Sequence, residues 1–131
     1  MTEEQWDKKL KIHTTGRLDG HADQYHYPYE PTPYVVLERL AESGYLKKEN
    51  ILVDYGCGKG RVGFFLHYAV GCTSLGLEYD AEIFQQAKIW DCRNTLCISK
   101  SQIARMQEKI RCGCGDPFQE YAHNKKGAGR I

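Results

Sequence analysis

Apolar residues along the chain fall into runs of two kinds, short continuous ones and longer ones spaced by three and four. Pro28, Pro31 and Pro33 exclude a regular helix or central strand before Tyr34. Thr32-Pro33 then reads as a helix start, with Thr32 as N-cap and Pro33 at the first helical position. Val35, Val36, Leu37, Leu40 and Ala41 supply that helix's apolar face, and Gly44 ends it. ILVDY (51–55) is a short apolar run between polar residues and glycines, the pattern of a buried strand. From Gly60 to about Val70, the residues Val62, Phe65, Leu66 and Ala69 have helical spacing, and Gly71 is the stop. TSLGLEYD (73–80) is a second strand closing on acidic residues. Residues 81–90 are a helix with Ile83, Phe84, Ala87 and Trp90 on one side. A break at Arg93-Asn94 precedes a further helix over 99–109, striped by Ile103, Met106 and Ile110, and IRCGCGD (110–116) is the expected third strand.

Strand, helix, strand, helix, strand at this spacing predicts an α/β fold with an open parallel sheet. The organisation expected is a polar N-terminal extension over 1–24, a single domain over 25–118, and a disordered tail over 119–131. At 131 residues the chain has room for one core. The net charge of +1 points to no particular partner, but it is unevenly spread. Residues 1–92 hold ten Lys/Arg against fourteen Asp/Glu, and residues 93–131 hold eight against three. A solvated basic face accounts for that excess, and contact with nucleic acid is the alternative. No stretch reaches the ~20 apolar residues of a membrane span, and the N-terminus lacks the basic-then-apolar order of a signal peptide. A cytoplasmic location and no membrane partner are the expectations. The six cysteines contain no C-x-x-C and no complementary His pair, so free thiols are expected and no metal site.

The chemistry concentrates in VDYGCGKGRVGFF (53–65), where Gly56, Gly58 and Gly60 alternate directly after the first strand. In a parallel sheet, ligands collect beyond the carboxyl ends of the strands. Glycines there let the backbone turn sharply and approach a ligand closely. Two cofactor classes use such a turn. A dinucleotide fingerprint, G-x-G-x-x-G, occurs as Gly58, Gly60 and Gly63, with Gly63 inside the helix; from Gly56 the pattern fails at Arg61. A phosphate-binding P-loop pattern is absent.

The second class is S-adenosylmethionine binding. VDYGCGKG resembles motif I of the class I, Rossmann-like S-adenosylmethionine-dependent methyltransferases, matching at Val53, Asp54, Gly56, Gly58 and Gly60. The resemblance implies S-adenosyl-L-methionine as cofactor, a turn formed by Asp54, Tyr55, Gly56, Cys57, Gly58 and Gly60, and Glu78 with Tyr79 at the end of the second strand. Glu78 would take the ribose hydroxyls, since both can donate to one carboxylate. Gly115-Asp116 is similar to the pair that ends the third strand in family members and contacts the adenine amino group. YEPTPY is similar to a segment that folds over the cofactor in some bacterial relatives, which points to Glu30 and Thr32.

The family fold has seven strands, and its later strands supply substrate and catalytic residues; here about three are expected. No catalytic residue is assigned, and the methyl acceptor is unknown. The expectation is a shortened methyltransferase acting by SN2-type methyl transfer. A non-catalytic module or gene remnant of the same fold and a domain of the NAD-binding type are the alternatives. An incomplete sheet leaves an edge that a partner chain or oligomer would cover, and the isolated chain is expected to be marginally stable.

Overall fold

The computed structural model describes residues 1–16, 29–90 and 95–99. Three parallel strands, β1 (Ile51–Tyr55), β2 (Thr73–Glu78) and β3 (Thr95–Ser99), lie side by side in the order β1-β2-β3. Ile51 pairs with Thr73 and Tyr55 with Leu77, while Ser74 pairs with Thr95 and Glu78 with Ser99. All three strands therefore end at one edge, where the glycine turn begins. The expected α/β class with a parallel, incomplete sheet describes this arrangement.

Among the described residues four helices accompany the strands: α1 (Glu3–Leu10), α2 (Tyr34–Glu42), α3 (Arg61–Val70) and α4 (Ala81–Trp90). The expected positions of α2, β1, α3, β2 and α4 agree with these bounds to within one or two residues. Three expectations need correcting. First, α2 is capped by Pro33, and Thr32 gives it no side-chain hydrogen bond. Its first amide, that of Tyr34, instead donates to Glu3 Oε1 at 3.1 Å, so α1 satisfies the start of α2. Second, α2 turns Tyr34, Leu37 and Ala41 inward, while Val35, Val36 and Leu40 are exposed. In a run of consecutive apolar residues, periodicity alone cannot choose the inward stripe; the aromatic contact of Tyr34 chooses it here. Ala69 of α3 is likewise exposed.

Third, residues 95–99 are a strand, where the expectation was a break at Arg93-Asn94 followed by a helix from 99. TLCIS carries β-branched residues at Thr95 and Ile98, which favour an extended chain once β2 offers an edge to pair with. Among the described residues the third strand of the sheet is therefore β3. The expected helix over 99–109, the strand over 110–116, the tail over 119–131 and the division at 24/25 fall outside the described residues, apart from Ser99 in β3.

Residues 1–16, expected only as a polar extension, carry α1, opened by a reciprocal capping box between Thr2 and Gln5. Trp6, Leu10 and Ile12 enter the same core as Tyr34, Leu37, Phe65, Leu66 and Cys72. Trp6 stacks on Tyr34 with ring centroids 5.7 Å apart and meets the edge of Phe65 at 5.1 Å. Three aromatics from α1, α2 and α3 thus lock the N-terminal residues against the helices beside the sheet.

Candidate functional site

The turn after β1 is built by three glycines in conformations other residues rarely adopt. Gly56, Gly58 and Gly60 have φ of 78°, 56° and 92°. Gly58 also lies under the ring of Tyr29, where a Cβ would come within 2.5 Å of Cε2, and a Cβ on Gly60 would come within 2.7 Å of the Phe64 ring. A Cβ on Gly56 would meet nothing within 4 Å, so this glycine faces open space. The packing of Gly58 and Gly60 is internal, whereas Gly56 leaves room beside the turn.

The turn is tied to the end of β2. The amides of Gly56 and Cys57 donate to the Leu77 carbonyl at 2.7 and 2.9 Å, and that of Gly60 donates to the Cys57 carbonyl at 2.9 Å. Glu78 Oε2 accepts from the Gly58 amide at 2.7 Å, and its Oε1 accepts from the Asp80 amide at 3.0 Å. Glu78 thus folds back over the turn with lone pairs left on both oxygens. Asp80, by contrast, caps α4, its Oδ1 accepting from the amides of Glu82 and Ile83 at 2.9 and 3.1 Å.

Asp54 is the penultimate residue of β1 and lines a narrow space with Gly60, Gly63, Ser74 and Gly76. It accepts no hydrogen bond from the described residues. Burial, and then the negative charge of Glu78, push its carboxyl above the usual carboxylate range. Two acidic groups therefore lie close together beside the turn, and Asp54 has no compensating partner among the described residues. Gly63, buried in α3, lets the helix sit close to β2, where Ser74 Oγ donates to its carbonyl at 3.3 Å. Close helix–strand packing is also the part of the third glycine in a dinucleotide fingerprint, so Gly63 does not choose between the two cofactor classes.

Behind the turn lies a buried polar cluster that sequence reasoning missed. Arg61, the first residue of α3, is only 2% exposed. Its Nε donates to Thr14 Oγ1 at 2.7 Å and its Nη2 to Thr15 Oγ1 at 2.9 Å. Both hydroxyls in turn donate to the Asp7 carboxylate, at 2.6 and 2.9 Å. The two threonines therefore bridge guanidinium and carboxylate. The Tyr34 hydroxyl adds a 2.6 Å bond to Asp7 Oδ1, and the Thr14 and Thr15 amides donate to Oδ2. Burial pushes the Asp7 carboxyl upward, but the hydrogen bonds from Thr14, Tyr34 and Thr15 outweigh it and hold it below its usual value. Arg61 Nη1 pairs with Glu3 and donates to the Thr32 carbonyl at 3.1 Å, while the guanidinium lies 4.2 Å from the Tyr34 ring centroid. The only signal in the sequence was an arginine at the first position of a helix beside a glycine turn, a place where a solvated side chain is the ordinary expectation.

The cluster reaches the turn through Tyr29. Its hydroxyl donates to the Thr14 carbonyl at 2.6 Å, and its ring covers Gly58. Burial drives the Tyr29 hydroxyl far above its ordinary value, so it remains a donor at any working pH. Of the residues expected at a site, Asp54, Gly56, Cys57, Gly58, Gly60 and Glu78 come together. Tyr55 and Tyr79 flank them and are exposed. Thr32 turns its carbonyl to Arg61, and Glu30 is exposed in the segment before α2. Asp116 lies outside the described residues. Among the described residues no three His, Cys, Asp or Glu side chains gather as a metal would require. No described helix is long and apolar enough to cross a membrane.

No family model matches the chain. Over 37 residues, 28% of its length, it is 43% identical to a protein-lysine N-methyltransferase of Saccharolobus islandicus (strain REY15A), and the match spans 23% of that relative. Among solved structures it is similar to an RNA methyltransferase from Salinibacter ruber in complex with S-adenosyl-L-homocysteine, with 25% identity and a TM-score of 0.45 over 52% of this chain and 47% of that one. It is also similar to YjhP from E. coli, with 17% identity and a TM-score of 0.49 over 63% of this chain and 34% of that one. The resemblance to class I S-adenosylmethionine-dependent methyltransferases carried by VDYGCGKG is thus joined by a curated methyltransferase relative.

Proposed function

We propose that the turn between β1 and α3 is the cofactor site of an S-adenosylmethionine-dependent methyltransferase. The observation that carries this reading is the pairing of Asp54 and Glu78 at a turn whose amides are largely engaged. Four of them, at Gly56, Cys57, Gly58 and Gly60, already donate within the protein. A pyrophosphate needs such amides unengaged and is repelled by two carboxylates. A ligand with cationic groups and donor hydroxyls suits them, and S-adenosyl-L-methionine carries a sulfonium, an ammonium and a ribose diol. The residues present fit it: Gly56 leaves room beside the turn, Glu78 has lone pairs left for the ribose hydroxyls, and Asp54, whose carboxyl is pushed upward by burial and by Glu78, is ionised more readily once a cation lies near.

When bound, the cofactor supplies a methyl group on a sulfonium, open to SN2-type attack by a nucleophilic acceptor. The part of this chain is to hold and orient that group; similarity to a protein-lysine N-methyltransferase makes a protein lysine the first acceptor to assay. A cytoplasmic location belongs to the same reading, supported by Cys57 and Cys72 being buried thiols rather than disulfides.

Calorimetric titration of the full chain with S-adenosyl-L-homocysteine and with NAD is the test. The expected result is binding of the former only, reduced at least tenfold by Glu78→Ala. Binding of NAD alone refutes the proposal. Transfer of labelled methyl from S-adenosyl-L-methionine to a lysine-rich protein separates an active enzyme from a binding module.

A further inference from the structure

The methionine end of such a cofactor carries an α-carboxylate as well as an ammonium. At the mouth of the turn, Asp54 and Glu78 repel that carboxylate, and the amides of Gly56, Cys57, Gly58 and Gly60 are engaged. Among residues 56–61 the cations are Lys59 and Arg61. Arg61 is buried and has every face committed, to Glu3, Thr14, Thr15, the Thr32 carbonyl and the Tyr34 ring. Lys59 is different. It is half-buried, forms no ion pair with the described residues, and rests its ammonium 4.8 Å from the ring centroid of Tyr29. That ring is itself held by the Tyr29 hydroxyl bond to Thr14 and by its contact with Gly58.

Resting on the cofactor reading above, we propose that Lys59 recognises the α-carboxylate of the cofactor's amino-acid portion and so selects the intact cofactor over adenosine fragments. Two arguments support it. The first is charge: two carboxylates and one ammonium give the site a net negative charge opposite to the net positive charge of S-adenosyl-L-methionine, with a cation left for its one anionic group. The second is preorganisation: an aromatic face holds the ammonium beside the turn in the free protein, which lowers the entropy lost on binding.

The test compares two ligands that share the thioether and adenosine and differ in the amino-acid portion, S-adenosyl-L-homocysteine and 5′-methylthioadenosine. Both are titrated calorimetrically into the full chain, its Lys59→Ala variant and its Lys59→Arg variant. Loss of one charge-assisted contact weakens S-adenosyl-L-homocysteine about tenfold in Lys59→Ala. The fragment's affinity stays within about twofold, and Lys59→Arg restores most of the difference by keeping the charge. The tenfold effect also shrinks as salt is raised, because the side chain is partly exposed. Equal weakening of both ligands, or an unchanged affinity for S-adenosyl-L-homocysteine, overturns the role of Lys59 while leaving the cofactor reading intact. Failure of the unsubstituted chain to bind either ligand overturns the cofactor reading and this inference with it.

Discussion

Arg61→Ala removes the central donor of the buried cluster, and the structure sets the scale of the effect. The substitution strips four hydrogen bonds from Glu3, Thr14, Thr15 and the Thr32 carbonyl, and it leaves the buried Asp7 carboxylate without the cation beside it. Breaking a buried charge pair of this kind costs about 3–5 kcal/mol. Stacking of the guanidinium on Tyr34 accounts for about 0.5–2 kcal/mol of that. The Glu3 pairing adds little, because that carboxylate is 38% exposed. Set against the about 5–15 kcal/mol that holds an ordinary domain together, the loss is severe. At about 3 °C per kcal/mol for a chain of this size, the melting temperature falls by about 10–15 °C. Circular dichroism melts and urea titrations at pH 7 read it directly. Arg61→Lys keeps the charge but loses the fork that engages both threonines, so it recovers less than half of the loss. Thr14→Val added to Arg61→Ala costs less than the two single losses summed, since the Arg61–Thr14 bond is counted in both, but it still removes the Thr14 hydroxyl bond to Asp7. A cost below about 1 kcal/mol for Arg61→Ala would show that the cluster does not brace the N-terminal residues against α3, and would refute the reasoning.

Two further outcomes separate the glycines of the turn and test the carboxylate at Asp7. Gly58→Ala places a Cβ against a pinned Tyr29 ring at a left-handed φ and destabilises the chain by about 2–4 kcal/mol in urea titration, whereas Gly56→Ala, facing open space, costs about 1–2 kcal/mol of backbone strain and mainly weakens S-adenosyl-L-homocysteine binding. Asp7 has a folded-state carboxyl below its ordinary value of 3.8, so its contribution is fully present above that pH and is lost as pH falls through the lower folded value. Urea stability is therefore level between pH 7 and 5 as far as Asp7 is concerned and declines from about pH 4 downward, and Asp7→Asn flattens that part of the decline.

Local pattern was enough to read ILVDY as a strand, TSLGLE as another, and the helices on either side. Buried strands and capped helices are written in contiguous residues, and the glycine turn announces itself because positive φ requires glycine. Asp54 and Glu78 were legible for the same reason, as acids near strand ends in an order that resembles a known motif. The strand at 95–99 was not legible, because TLCIS has only two β-branched residues, and it becomes a strand by pairing with β2. The inward stripe of α2 was also hidden, since Tyr34 against Trp6 and Phe65 is a contact across three helices.

What the sequence determined by itself is the alternation of strands and helices and the glycine turn with its two acids. Only the tertiary structure decided that Arg61, Asp7, Thr14, Thr15 and Tyr29 form one unit behind that turn. Hydrogen bonds between residues up to 58 positions apart leave no periodic trace along a chain, and a burial that makes an arginine structural depends on neighbours the local pattern does not contain.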